Sequence, residues 1–236
     1  MLRKLFRRWS SKTKGSSSIE AIIPPEIKDD AFYTAILDLA SKVEARHILE
    51  IGSSSGRGST EAFALGIARN PSRPHLHCME ISKTRFAALK AHYAGNPQVF
   101  VYNASSVPAS ELPTAEQVSD FYRTHPTKLN EYPLEQVLSW LEADRTYMGA
   151  SPLPDGIRHI LAETGVDHFD VVLIDGSEFT GEPELDLVYG ARWILLDDVN
   201  AHKNFMNHRR LSGDPSYRLV EEDWGIRHGY AIFERT

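Results

Sequence analysis

The most constraining feature of this sequence is residues 47–60, where three glycines follow a short apolar run. The apolar side chains at positions 48, 49 and 51 predict a buried strand. The glycines that follow are Gly52, Gly56 and Gly58. Because a helical pattern begins directly after them, the segment predicts a strand, a tight turn and a helix N-terminus. This geometry allows backbone to approach a nucleotide-like ligand closely.

The order of the glycines argues against a dinucleotide-binding turn. That turn has the pattern G-x-G-x-x-G, and here Ser54 and Arg57 occupy its second and third glycine positions. The pattern present is E-x-G-x-x-x-G-x-G, which begins at Glu50. The next predicted strand, residues 75–81, has Glu80 at its carboxyl end. An acid roughly 20–30 residues beyond the first glycine can accept hydrogen bonds from both hydroxyls of a ribose.

This loop and its following acid resemble the nucleoside-binding region of the class I S-adenosylmethionine (SAM) dependent methyltransferases. The resemblance implies that Glu50 lies near the methionine end of the cofactor and that Glu80 binds its ribose. It also implies that the loop passes the cofactor closely, with contacts from Gly52, Ser53, Gly56 and Gly58. The chain is expected to pass the adenine where the third strand ends, at Asn103, Ala104 and Ser105.

Alternating strand and helix patterns predict an α/β fold: a seven-stranded, mostly parallel Rossmann-like sheet with helices on both faces. Continuous apolar runs, as expected for strands buried on two faces, mark further strands at 98–102, 170–174 and 193–196. A hairpin-like pair, 217–222 and 229–234, closes the chain and matches the antiparallel last strand of the methyltransferase sheet. Helices are predicted at 31–43, 59–68 and 83–93.

The region between the third and fourth strands is longer than a crossover helix requires. Residues 106–155 contain six prolines, several aromatic residues and one amphipathic pattern, at 134–142. A long crossover above the strand ends is well placed to cap a site and select a substrate, so we expect an inserted helical lid. A contact within a homo-oligomer and simple packing are the alternatives.

Acidic residues follow the fourth and fifth strands. Asp175 ends one strand, and Asp197 and Asp198 end the next. Adjacent parallel strands bring such ends together, and carboxylates are the ligands that Mg²⁺ accepts. The pattern resembles bacterial metal-dependent O-methyltransferases that act on sugar hydroxyls of natural products, which implies that these three residues are metal ligands. The alternative is that the paired acids cap helix N-termini or bind a cofactor amine without a metal, and Asp175 is also a candidate contact to the cofactor. That family usually carries an Asp or His base shortly after the fourth strand, where this chain has Glu178; His202 is the second candidate base.

Charge is distributed unevenly along the chain. The first fifteen residues carry +6 and the whole chain −6, so the remainder carries −12. An acidic body argues against a nucleic-acid substrate. We expect residues 1–25 to form a basic arm and linker, and 26–236 the methyltransferase domain. Residues 1–15 are candidates for a peripheral contact with an anionic membrane, the alternative being a disordered or packed tail.

A cytoplasmic protein is expected, because no secretory signal is present and the single cysteine, Cys78, excludes an internal disulfide. The predicted activity is methylation of a hydroxyl on a small molecule or glycan, with SAM and Mg²⁺ as cofactors. Two alternatives are weighed. A non-catalytic methyltransferase-like scaffold recruited to a membrane would share the loop. A short-chain dehydrogenase would need a Tyr-x-x-x-Lys pair, and none of the nine tyrosines has a lysine four residues later.

Overall fold

The structure is a computed structural model, and it describes residues 19–236. It contains eight α-helices in this range: α1 (Ala31–Lys42), α2 (Ser59–Ile67), α3 (Lys83–His92), α4 (Ala115–Thr124), α5 (Leu134–Gly149), α6 (Gly156–Thr164), α7 (Gly181–Val188) and α8 (His202–Ser212). The strands are β1 (His47–Ile51), β2 (His75–Met79), β3 (Val99–Tyr102), β4 (Val171–Ile174), β5 (Trp193–Asp197), β6 (Tyr217–Asp223) and β7 (Tyr230–Arg235). No helix within these residues combines the length and apolar character needed to cross a membrane.

The seven strands form one sheet in the order β3-β2-β1-β4-β5-β7-β6. The first five are parallel, and β7 runs antiparallel to β5 and β6. The predicted fold class is therefore confirmed. Strand order reverses between β1 and β4, and the crevice at such a switch point is where open α/β sheets bind ligands.

Alternate side chains of the central strands supply two separate cores. Ile48, Cys78 and Leu173 point to one face of the sheet, where α1, α2 and α3 pack. Leu49, Met79 and other residues of opposite parity point to the second face, which the later helices cover. The thiol of Cys78 is buried. Both faces are thus covered, which is why β4 consists entirely of apolar residues and β1 has apolar side chains at positions 48, 49 and 51.

The insertion contains more helix than predicted. Its expected helix continues from residue 142 to Gly149 as α5, and a second helix, α4, precedes it. The local signal for α4 is a capping box, in which Thr114 and Gln117 bond reciprocally to each other's backbone N–H groups. Val118 and Phe121 anchor this helix in the second core. The amphipathic pattern of α4 spans only three turns, and it was obscured by the prolines on either side.

Candidate active site

A cavity of about 350 Å³ opens at the carboxyl ends of β1, β2 and β4. Its floor is the loop at 51–59, and its walls come from the ends of the neighbouring strands and from α5. Ile19 and residues 23–27 also line the cavity, although residues up to 25 were predicted as arm and linker. Ligand sites in α/β proteins typically measure about 300–1,000 Å³. The cavity therefore has the size and the position of a small-molecule site.

The three glycines of the loop are required mainly by neighbouring segments of the chain itself. Gly52 has φ +88°, and a Cβ there would run into the carbonyl of Asp175. Gly56 has φ +81°, and its Cβ would lie 2.7 Å from atoms of Leu89 and Tyr93. Gly56 is not among the residues that line the cavity, and a side chain there would push α3 away from the loop.

Gly58 has a similar role on the other side of the loop. A Cβ at this position would lie 3.0 Å from the carbonyl oxygen of Ile27. Gly58 and Ser53 line the cavity together with Gly52. The hydroxyl oxygen of Ser54, also in the lining, is buried and has no hydrogen-bond partner among the described residues. An unpartnered buried hydroxyl in a cavity wall suits a polar ligand.

Glu80 is held in place by the backbone. Its carboxylate accepts the N–H of Ser54 at 2.8 Å with one oxygen and the N–H of Ser82 at 2.7 Å with the other. Burial raises the pKa of Glu80, while these two N–H groups and Arg85 oppose the increase. Each oxygen retains a second lone pair, and the residue lines the cavity. The carboxylate thus links the loop to α3 and still has acceptors for two ligand hydroxyls.

The chain after β3 lines the cavity in part. Ala104 and Ser105 form part of its wall, as does Ser106. Asn103 is not in the lining: its amide donates to the carbonyls of Glu80 and Ile81 at 2.9 Å each. Asn103 therefore stabilises the end of β2, and its predicted contact with a cofactor would be indirect.

Glu50 also lies outside the cavity lining. It is fully buried below the loop, where it accepts a hydrogen bond from the hydroxyl of Thr60 at 2.7 Å. Burial raises the pKa of this carboxyl group. Thr60 lies in the first turn of α2. The contact ties the strand before the glycine loop to the helix after it.

The three acids of β4 and β5 come together as predicted, with carboxylate oxygens of Asp175, Asp197 and Asp198 all within 4.8 Å of one another. Sequence reasoning did not find the two cations that lie among them. Lys203 Nζ donates to Asp175 and to Asp198 at 2.7 Å each. Arg227 donates to Asp197 at 2.6 Å.

These charges decide whether a divalent metal fits. Burial opposes the charge of Lys203, but the surrounding carboxylates outweigh it and raise its pKa well above the usual value. Mg²⁺ requires carboxylate oxygens at about 2.0–2.1 Å, and the ammonium group already occupies the space between Asp175 and Asp198. The arrangement as it stands does not fit a divalent cation, and we derive no chemical step through one.

Of the two candidate bases, only Glu178 lines the cavity. One of its oxygens accepts the backbone N–H of His202 at 2.8 Å, and burial raises its pKa to about 7. The His202 ring packs edge-on against Phe121 and Phe179, with centroids 4.6 and 5.5 Å away. Burial lowers the pKa of His202 to about 4. Glu178 is therefore the base candidate that faces the cavity, and His202 holds it in position.

The insertion and the segment at 19–27 meet above the cavity. From α5, Asp144 and Met148 line it, and Asp144 accepts a hydrogen bond from the hydroxyl of Ser177. Tyr147, also on α5, donates to the carboxylate of Glu20. These contacts support the predicted position of the insertion above the strand ends. No sequence pattern marks Asp144, because the neighbouring residues do not distinguish it from acids on the exposed faces of helices.

No protein-family model and no curated protein matches this sequence. Solved structures do match. A methyltransferase from Geobacter sulfurreducens shares 12% identity, covering 89% of this chain and 80% of its own, with a TM-score of 0.51. The cofactor-bound structure of Rv0187 from MTB shares 15% identity over 92% of this chain and 85% of its own, with a TM-score of 0.55. A proposed caffeoyl-CoA O-methyltransferase from Staphylococcus aureus shares 16% identity over 93% of both chains, with a TM-score of 0.51.

At these identities the likeness concerns the fold. It agrees with the strand order, with the antiparallel last strand and with a cavity at the switch point between β1 and β4. The chain has the fold of the class I SAM-dependent methyltransferases.

Proposed function

We propose that this protein is a SAM-dependent methyltransferase that methylates a hydroxyl oxygen on a small molecule or glycan. The observation that carries the proposal is Glu80. Its carboxylate is fixed by two backbone N–H groups at the end of β2, and each oxygen keeps a lone pair for one hydroxyl of a ribose. Ser53 and Ser54 of the loop, and Asp175 opposite, would then line the methionine part of the cofactor.

The fold neighbours support the same function. One of them is cofactor-bound, and another is described as an O-methyltransferase. Oxygen is the proposed acceptor because the cavity ends at carboxylates, which can position a hydroxyl and receive its proton.

In the proposed reaction the acceptor oxygen attacks the methyl carbon of SAM in line with the departing sulfur. The carbon–oxygen bond forms as the carbon–sulfur bond breaks, and the sulfonium becomes the neutral thioether of S-adenosylhomocysteine. The hydroxyl proton passes to Glu178, whose pKa of about 7 suits a base at neutral pH. Asp144 and Met148 of α5 contribute to the wall on the insertion side and would help to position the acceptor.

Two measurements test this proposal. Isothermal titration calorimetry should show that the protein binds SAM and S-adenosylhomocysteine and does not bind NAD. Methyl transfer should then be measured against a panel of sugar, phenol and carboxylic acid acceptors. Binding of NAD without SAM would reject the proposal. If the protein binds SAM but forms no S-adenosylhomocysteine with any acceptor, the non-catalytic scaffold is favoured.

From the sequence alone we also propose a peripheral membrane contact for residues 1–15, which lie outside the described residues. This segment carries +6 and contains Leu2, Leu5, Phe6 and Trp9. Each basic residue near an anionic surface contributes about 1 kcal/mol. The protein should sediment with vesicles that contain phosphatidylserine and remain in the supernatant with neutral vesicles. Deletion of residues 1–15 should abolish that difference, and an unchanged difference would assign the contact elsewhere.

A further inference from the structure

Lys203 lies where a metal-dependent methyltransferase would hold its cation. Its ammonium group is 2.7 Å from Asp175 and 2.7 Å from Asp198, and its side chain is only 8% exposed. It lies in the first turn of α8, five residues after Asp198, and it lines the cavity. The chain itself therefore supplies a positive charge at the centre of its acidic cluster.

The third acid is neutralised separately. Asp197 is 1% exposed and accepts a hydrogen bond from Arg227, which also contacts Asp30 on the other side. The formal charges of the three acids, Lys203 and Arg227 sum to −1. The carboxylates therefore leave no gap for a divalent cation. Their remaining net charge is also smaller than the negative charge that usually surrounds such a cation.

We propose that Lys203 is an internal cation that replaces a divalent metal, and that its ammonium group donates a hydrogen bond to the acceptor oxygen during methyl transfer. An ammonium has three N–H donors, and among the described residues two of them are accepted by Asp175 and Asp198. The described residues offer the third no acceptor within hydrogen-bond distance, and Lys203 lines the cavity. This inference rests on the proposed function, because it assigns a group to the same reaction.

The chemistry follows from that third donor. As the acceptor loses its proton to Glu178, negative charge develops on its oxygen. A preorganised donor in a desolvated site stabilises this charge, and loss of one such donor typically costs about 10²–10³ in kcat. The carboxylates of Asp175 and Asp198 hold the ammonium in place, so it needs no reorganisation during the reaction.

The first experiment uses the wild-type protein and Mn²⁺, which hard oxygen sites accept in place of Mg²⁺. Calorimetry should show no saturable binding of Mn²⁺ at about 1 mM, the weak limit of protein cation sites. Methyl transfer should be equal in EDTA and in Mg²⁺. Saturable binding of Mn²⁺, or activity that is lost in EDTA and restored by Mg²⁺, would overturn the proposal.

The second experiment removes the charge. Lys203→Met keeps the length of the side chain but leaves three carboxylates facing one another, so this variant should bind Mn²⁺ where the wild type does not. Its kcat should fall by about 100-fold or more, with cofactor affinity little changed. Lys203→Arg should continue to exclude Mn²⁺, and Lys42→Met, on the exposed surface of α1, should match the wild type in every measurement. A folded Lys203→Met protein that gains no Mn²⁺ and retains its kcat would refute the assignment.

These outcomes remain separable from the proposed function. If the wild-type protein fails to bind SAM, the methyltransferase proposal falls, whereas the exclusion of Mn²⁺ by Lys203 can still be measured. If Lys203→Met does not fold, because its buried carboxylates repel one another, the wild-type titration alone decides.

Discussion

Substitution of Glu80 by glutamine tests the cofactor site at a single atom. Both carboxylate oxygens of Glu80 already accept backbone N–H groups, from Ser54 at 2.8 Å and from Ser82 at 2.7 Å. An amide retains one acceptor oxygen, but its NH₂ group must face the second N–H donor. It can therefore satisfy only one of these two contacts, and it offers a ribose one acceptor in place of two.

The expected loss follows from the type of bond removed. A hydrogen bond to a charged group contributes about 1.5–3 kcal/mol, and its loss corresponds to a roughly 10- to 150-fold increase in the Kd for SAM. Stability should fall as well, because one buried N–H, of either Ser54 or Ser82, is left facing a donor.

The assay is calorimetry with S-adenosylhomocysteine, combined with thermal unfolding of the unliganded proteins to show that the variant is folded. Glu44→Gln, an exposed substitution outside the helices and strands, is the matched control and should leave both measurements unchanged. A folded Glu80→Gln protein whose Kd is within a factor of about two of the wild-type value would refute the assignment of Glu80 to the ribose, since that change is well below the energy of one charged hydrogen bond.

Three further predictions concern the loop, acid stability and the base. Gly52→Ala should destabilise the protein by at least about 1–2 kcal/mol in urea unfolding, because Gly52 has φ +88° and a Cβ would meet the carbonyl of Asp175. Gly95→Ala is the control and should be nearly neutral, because its Cβ would meet nothing within 4 Å. Burial lowers the pKa of His77 and of His202 to about 4 from 6.5, so each histidine by itself should reduce stability by about 2 kcal/mol between pH 7 and pH 5. Burial raises the pKa of Glu178 to about 7 and that of Asp197 to about 6, and these acids act in the opposite direction over the same range. The test therefore compares the pH slope of stability in the wild type and in His77→Phe, and equal slopes would contradict a buried neutral His77. If Glu178 is the base, kcat/KM should rise with pH through about 7 as its carboxyl group loses its proton, and Glu178→Gln should remove the rise; an unchanged profile would assign the base elsewhere.

Local patterns were sufficient to predict the fold. Apolar runs mark β1, β4 and β5, glycines follow β1, and a hairpin pattern covers the last two strands. Each of these signals lies within a short segment and can be interpreted from adjacent residues alone. The capping box of α4 was equally local, but it lay between prolines and was missed. The end of α5 was also missed, because residues 143–149 pack through contacts with the rest of the chain that no local pattern reports.

The position of Glu80 was predictable because a strand end in a parallel sheet has a known direction and a known neighbour. Its two backbone N–H partners were not. They come from Ser54 and Ser82, which the loop and the start of α3 bring to the carboxylate from opposite sides. A pattern indicates that an acid ends a strand, whereas the orientation of the donors depends on how two turns pack.

The sequence by itself determined the α/β sheet, the site at its carboxyl edge and the convergence of Asp175, Asp197 and Asp198. Only the tertiary structure decided what lies between these acids. Lys203 contacts Asp175 across 28 positions of sequence, and Arg227 contacts Asp197 across 30. The first contact depends on where α8 begins, and the second on the path of the turn between β6 and β7. A residue pattern predicts which charges share an edge of the sheet. Which cation neutralises them is decided by packing, because an ion pair requires contact within a few ångströms that periodicity cannot specify.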